Sequence, residues 1–347
     1  MQRLTGIDVA RGLAVLGMVT AHVGPDAPGR TTPADRVLEL ADGRSSALFV
    51  VLAGVSLALM SGGQVPVSGR DLRRARVRVS ARAVVVLLVG LVLDSLDTPI
   101  LVILPTYAVL FLAGCLVLRW SVRALVVAAA VLAVVGPLVR DAVTLGGGPQ
   151  GPGMSLDLRD LLVGPHYPAL VWFAYLLAGL ALGRGDLASR AVQRRTALVG
   201  AVLAVVGYGG GWVARLAVGD AALASTQPHS STTFEVAGNT GVALLVVAAS
   251  LALAPRAPRL LAPIAAVGAL AFTAYTTQIL VVAAVGPEIV WEPLVTSWVV
   301  FVVATTLVCW GWRTWLGRGP LERVLHGVST AVAERLVPRE VEAREPG

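Results

Sequence analysis

A series of apolar segments, each long enough to cross a lipid bilayer, restricts this chain to very few folds. Only 14% of its 347 residues are charged, whereas a soluble domain carries about 25%. The pattern therefore predicts an all-α, polytopic membrane helical bundle of about ten transmembrane helices, because a 30 Å hydrocarbon core requires about 20 apolar residues per helix. The predicted spans are 6–23, 44–61, 79–96, 99–118, 121–139, 166–184, 197–217, 235–254, 260–285 and 293–312.

Arginines mark one side of this predicted bundle, because they concentrate in alternate loops. The second loop holds six arginines between Arg70 and Arg82, whereas the third loop holds Asp94 and Asp97. Cytoplasmic loops of membrane proteins carry the excess of basic residues. The even loops and both termini are therefore predicted to be cytoplasmic. This topology, and not nucleic-acid binding, explains the net charge of +7.

The first span carries ionisable residues at two depths. Asp8 and Arg11 lie three residues apart near its start, on one helical face. His22 lies near the end of the span, about 21 Å beyond Asp8 at 1.5 Å per residue. Ionisable groups in an apolar span are costly and indicate function by default. Asp8 and Arg11 either pair with each other or orient an anionic ligand, and His22 is either a hydrogen-bonded helix end or a proton carrier.

Further polar residues are expected at the outer ends of other spans. Asp42 and Arg44 stand at the mouth of the second span, where Asp42 either caps the helix or orients the histidine of the first span. His229, Glu235 and Asn239 begin the eighth span, where capping and inter-helix hydrogen bonding compete with a catalytic role. No zinc-type spacing, phosphate-binding glycine loop or nucleophile elbow occurs, so no metal is expected.

Six segments carry motifs whose order is specific, although each motif alone is weak. They are RLTGIDVARGLAVLGMVTAH, ADGRSSALFVVLAGVSLAL, ILPTYAVLFLAG, HYPALVWFAYLLAGLALGR, GALAFTAYTTQIL and GPLERVLHG. In this order they resemble the transmembrane acyltransferase superfamily, which includes the catalytic region of heparan-α-glucosaminide N-acetyltransferase and the DUF418 membrane proteins. The apolar pattern predicts a transmembrane bundle over 1–312, followed by a cytoplasmic amphipathic segment and tail over 313–347. Within the bundle, the resemblance implies an acyltransferase-like half over 1–140 and a DUF418-like half over 160–330.

The same resemblance implies an enzyme of the plasma membrane. It would take an acyl group, in this family an acetyl group, from cytoplasmic acyl-CoA and deliver it to an extracytoplasmic sugar or envelope acceptor. The catalytic residues implied are His22, Asp42, Arg44, His229 and Glu235. The residues implied for binding acetyl-CoA or another acyl-CoA are Asp8, Arg11, Arg73, Arg74, Arg119 and Asn239. The expected partners are the lipid bilayer and a small-molecule or glycan acceptor, without nucleic acid, and a homodimer is left open.

The chain departs from the family in one loop. The lysosomal enzyme has its catalytic histidine after the first helix, whereas the loop from Val23 to Ala41 contains no histidine. Either His22 takes over that role, or His166 or His229 reaches the site, or the chain is not an N-acetyltransferase.

Two functions of other classes stay open. The first is a transporter or flippase whose permeation path is lined by Asp8, Arg11, Glu235 and Asn239. Against it, the paired broken helices of inverted-repeat transporters are not evident in the sequence. The second is a structural membrane protein without catalytic chemistry.

Overall fold

The structure is a computed structural model that describes residues 4–25, 38–144, 157–219 and 222–338. Within these ranges the protein is all-helical, as the sequence predicts. The helices are α1 (Thr5–Val23), α2 (Arg44–Met60), α3 (Gly69–Asp94), α4 (Leu104–Val117), α5 (Val122–Thr144), α6 (Leu158–Val163), α7 (Ala169–Leu182), α8 (Arg190–Ala204), α9 (Gly210–Val218), α10 (Thr233–Leu253), α11 (Pro258–Ala269), α12 (Ala271–Val285), α13 (Glu288–Trp291), α14 (Val295–Trp315) and α15 (Pro320–Leu336). A π-helical turn, Val205–Gly209, joins α8 to α9.

Five of the described helical segments are long and apolar enough to cross a bilayer: α1, α5, the continuous α8–α9 segment, α10 and α14. The bent pair α11 and α12 is a sixth candidate. The apolar helices α2, α4 and α7 have only 14 to 17 residues. The count of ten spans and the cytoplasmic position of both termini therefore stay predictions.

The predicted ninth span, 260–285, is not one continuous helix. α11 and α12 meet at Leu270 with a bend of 71°. The carboxylate of Glu322 in α15 accepts the backbone N–H groups of Phe272 and Thr273 at 2.8 and 3.0 Å. It thereby caps the free donors in the first turn of α12. The predicted span 260–285 is therefore two helices in the structure, and it is the one bent pair found among the described residues.

α1 lies inside the bundle and packs against α2, α10, α11 and α14. Its contact with α11 is close enough to require glycine. A Cβ atom on Gly12 would lie 2.0 Å from the carbonyl oxygen of Ile264, and one on Gly268 would lie 1.8 Å from that of Asp8. Small residues that let helix backbones approach are a common means of packing in membranes. The first span is therefore held by contacts along most of its length.

Helix ends converge on two faces of the molecule, which we call the arginine end and the histidine end. At the arginine end, the buried Arg184 directly follows α7. Its guanidinium donates to carbonyls at the C-terminal ends of two helices: those of Ala58, Ser61 and Gly63 at the end of α2, and that of Leu118 at the end of α4. Helix C-termini leave such carbonyls without partners and carry partial negative charge, which a guanidinium neutralises. The opposite end is the histidine end. It holds His22 of α1, His166 in the loop before α7 and His229 in the loop before α10.

The helix α15 docks on the arginine end by binding α3. Arg74 pairs with Glu334 at 3.5 Å and donates to the carbonyl of Val337 at 2.9 Å. Arg82 donates to the hydroxyl of Ser329 at 3.5 Å. The last nine residues of the chain, 339–347, lie outside the described residues.

Candidate active site

The imidazole of His22 ends α1 and contacts a side chain from α12. Its Nδ1 atom lies 2.6 Å from Nε2 of Gln278. The Gln278 side chain is 1% exposed, and its Oε1 atom is buried without a hydrogen-bond donor among the described residues. The amide therefore determines which ring nitrogen of His22 carries the proton.

His229 lies in the loop before α10, within electrostatic range of His22. Its ring stacks on Trp172 at 6.2 Å and meets Tyr167 edge-on at 5.2 Å. Burial, and secondarily the charge of His166, lowers the pKa of His229 from 6.5 to about 4. The ring is therefore neutral at pH 7, and its buried Nδ1 has no partner within the part of the chain that is described.

Glu235 shapes the turn that carries His229. Its carboxylate accepts the backbone N–H groups of His229 at 2.8 Å and Ser231 at 2.5 Å, and the hydroxyl of Ser230 at 3.1 Å. The hydroxyl of Thr232 in turn accepts the N–H of Glu235, which makes a variant of the capping box. His229 and Ser231 both have positive φ, 62° and 52°. The predicted catalytic Glu235 thus positions His229 in this arrangement.

Asn239 continues this network one helical turn further along α10. Its Nδ2 donates to Glu235 Oε1 at 3.2 Å and to the Tyr175 hydroxyl at 3.4 Å. Its Oδ1 accepts the Tyr208 hydroxyl at 2.5 Å. The structure therefore places Asn239 at the histidine end and does not bring it to Arg11, with which it was grouped for CoA binding.

Asp42 and Arg44 lie in a turn that packs against the loop of His229. Gly43 between them has φ +66°, and a Cβ atom there would be 3.2 Å from Pro228 and 3.4 Å from Oε1 of Glu235. The guanidinium of Arg44 lies 4.8 Å over the Tyr208 ring. The second-span residues therefore join the histidine end as predicted, while the proposed pairing of Asp42 with His22 stays a prediction.

At the arginine end, Asp8 and Arg11 pair at 3.2 Å. Arg11 also donates to the hydroxyl of Ser56 at 3.1 Å and to the carbonyl of Gly268 at 3.4 Å, so it ties α1 to α2 and α11. Of the other arginines implied for CoA, Arg73 and Arg119 are exposed and Arg74 holds α15.

A cluster of four arginines, which we call the basic cluster, consists of Arg11, Arg78, Arg82 and Arg318. Arg82 lies within electrostatic range of the other three. The nearby His326 has a lowered pKa because of partial burial and the charges of three of these arginines. Arg78 Nε is buried and has no acceptor in the described ranges. In the sequence, Arg78 and Arg82 are two of the six basic residues of the second loop, and their i, i+4 spacing places them on one helical face.

Two buried tyrosines carry polar atoms inside the bundle. The Tyr275 hydroxyl accepts the N–H of Ile103 at 3.4 Å, and the buried Tyr107 hydroxyl has no partner among the residues described. The ring of Tyr107 packs on Phe49 and Phe111. A few polar atoms therefore lie inside the bundle between the basic cluster and the histidines.

Comparison with known families decides what kind of protein this is. The model described as heparan-alpha-glucosaminide N-acetyltransferase, catalytic, matches residues 3–209, more than half of the chain. The chain belongs to this family. A second model, a protein of unknown function (DUF418), matches residues 182–331. No curated protein matches the chain. The resemblance stated from the six motifs is confirmed.

Family membership makes the protein a membrane acetyltransferase-type enzyme in general terms. Its histidine end is built from both matched regions, because His22 and Arg44 lie in the acetyltransferase match whereas His229, Glu235 and Gln278 lie in the DUF418 match. No group of three or more His, Cys, Asp or Glu that could hold a metal ion occurs among the described residues.

Proposed function

We propose that the protein transfers an acetyl group from acetyl-CoA, bound at the arginine end, to a sugar or other envelope acceptor at the histidine end, in the plasma membrane. The observation that carries this proposal is the family match over α1, a helix with Arg11 at one end and His22 at the other. Asp8 orients Arg11, and Asn239 orients the aromatic wall at the far end.

The basic cluster is the place where the phosphates of CoA bind in this proposal. Guanidinium groups match phosphate geometry and form strong charge-assisted hydrogen bonds. Asp8 pairs with Arg11, whereas the charges of Arg78 and Arg318 still act against that of Arg82, and an anion bound among them would reduce this repulsion. The buried, unsatisfied Nε of Arg78 is a donor available to such an anion.

His22 is the proposed general base. An acceptor amine or hydroxyl forms a bond to the thioester carbon and loses its proton to the imidazole, while the C–S bond breaks and the CoA thiolate leaves and takes up a proton. This role needs an unprotonated Nε2, and therefore Nδ1–H donating to the carbonyl oxygen of Gln278. A half-turn of the buried amide supplies that arrangement, and Glu235 with His229 forms the adjacent wall.

Acetyl-CoA binding is tested with the purified protein in detergent. We expect acetyl-CoA to raise the melting temperature, because a ligand of the folded state stabilises it. Arg78→Gln should weaken acetyl-CoA binding by about tenfold, about 1.4 kcal/mol. Arg73→Gln, on the exposed face of the same helix, is the matched control and should bind normally. No shift with any acyl-CoA would contradict the proposal.

A transporter or flippase is the second candidate, and one observation favours it. The bend between α11 and α12 breaks an apolar segment, and broken helices form the binding sites of many transporters. Movement of a solute across vesicle membranes without acyl-CoA would support this function over the enzyme.

A further inference from the structure

A groove between α12 and α14 is lined in part by Gln278, the side chain that contacts His22. Its volume is about 410 Å³, within the range of about 300–1,000 Å³ typical of ligand sites. Gln278 and Val281 line it from α12, and Phe301, Ala304 and Val308 line it from α14. No lining residue in the described part of the chain is charged.

One wall of the groove belongs to a helix that is a candidate membrane span and is little covered by the rest of the protein. Only 6% of the apolar window of α14 is buried, so we expect most of this helix to face the hydrocarbon of the bilayer. The lining runs along α12 from Leu270 to Val285, about 22 Å at 1.5 Å per residue. A long hydrocarbon chain can enter such a groove from the membrane without being exposed to water, whereas a charged ligand cannot.

One polar side chain links the groove to the site. Gln278 lines the groove, its Nε2 contacts His22 at 2.6 Å, and its buried Oε1 lacks a donor among the described residues. Whichever end of this buried amide faces away from His22 is left without a partner, which is costly: the oxygen in the orientation of the structure, or the NH2 group after the half-turn that the general-base role requires. That end of the amide is suited to form a hydrogen bond with a ligand. The hydroxyls of Thr277 and Ser297 add polar atoms on the same lining.

We infer that the α12–α14 groove binds the hydrocarbon chain of a lipid acceptor, whose polar head lies beside Gln278 and His22. This inference rests on the proposed function, and it assigns the acceptor to the class of long-chain membrane lipids with a nucleophilic head. The bilayer then delivers the acceptor laterally to the histidine end, while CoA occupies the basic cluster.

The groove is tested by photolabelling of the full-length protein in phosphatidylcholine vesicles with a long-chain alcohol that bears a diazirine in its chain. We expect the label on lining residues of α12 and α14. Ala304→Trp fills the groove and should lower labelling there by about tenfold, about 1.4 kcal/mol. Val303→Trp introduces the same ring at the neighbouring, exposed position outside the lining and should label like the wild type.

Three outcomes would overturn the inference: labelling that Ala304→Trp leaves unchanged, labelling spread evenly over exposed helices such as α5, or cross-links between two copies of the chain through the groove. Ala304→Leu replaces the tryptophan variant if the latter does not fold. If the groove is labelled normally but acetyl-CoA does not raise the melting temperature, the proposed function is contradicted and the lipid site stands.

Discussion

At the scale of single residues, the histidine end keeps its imidazoles out of water. His229 has a folded-state pKa of about 4 against an ordinary value of 6.5, mainly because of burial. The folded state therefore binds this proton less readily than the unfolded state. Stability is unaffected above pH 6.5 and falls as the pH decreases from 6.5 toward 4, by up to about 3 kcal/mol.

We expect His229→Gln to lose part of this acid sensitivity, because glutamine has no proton to gain. The measurement is the melting temperature of wild type and variant between pH 7.5 and pH 4.5. His326→Gln is the control, since the half-buried His326 lies at the arginine end and its replacement leaves the acid sensitivity of His229 in place. Parallel pH curves for wild type and His229→Gln would contradict the assignment.

The sequence identified the polar residues of the histidine end but not all of their roles. Glu235 and His229 were visible at the start of an apolar helix, whereas the capping of the His229 turn depends on two positive φ angles that no pattern shows. Gln278 is a polar residue within the apolar segment 260–285, and nothing in the sequence indicates its partner. Its contact with His22, 256 residues earlier, follows from the packing of α12 beside α1.

At the scale of elements, one carboxylate joins α15 to the bent segment. Glu322 accepts two backbone N–H groups of α12 and the hydroxyl of Thr273 at 2.5 Å. We expect Glu322→Ala to destabilise the protein by about 1–3 kcal/mol, because it leaves these partly buried donors unsatisfied. It should also accelerate amide hydrogen exchange in α15 and at the start of α12.

The matched control is Glu334→Ala, on the same helix α15. Glu334 is exposed and pairs with Arg74 at 3.5 Å, so its loss should cost less than about 1 kcal/mol. Equal destabilisation by the two variants would show that the cap on α12 contributes nothing of its own.

Hydropathy predicted where apolar helices lie but not where the segment 260–285 breaks. The residues around Leu270 are apolar and contain no proline, so the segment resembles one span. The bend comes from contacts distant in sequence, namely the packing of Gly268 on the carbonyl of Asp8 and the cap from Glu322. The bend therefore depends on residues far away in the sequence, and the hydropathy of the segment itself does not indicate it.

At the scale of the whole molecule, the protein has two chemically distinct ends joined by α1. The arginine end carries the basic cluster and Arg184, whose guanidinium donates to helix C-terminal carbonyls. The histidine end carries His22 and its neighbours. Alternation of charge along the loops predicts that the arginine-rich loops share one face of the membrane, and the cytoplasmic position of that face stays a prediction. The composition of the basic cluster depended on side-chain packing and was only partly foreseen.

The most direct test of the proposed transfer follows an acetyl group across a membrane. Sealed vesicles containing the protein receive radiolabelled acetyl-CoA at the arginine end, and glucosamine, as a probe amine, is enclosed at the histidine end. We predict labelled N-acetylglucosamine on the enclosed side, and a loss of about 100-fold or more in His22→Ala, the range expected for a general base, with acetyl-CoA binding retained. Transfer at the wild-type rate by His22→Ala, or product formed only on the side of the donor, would contradict the account.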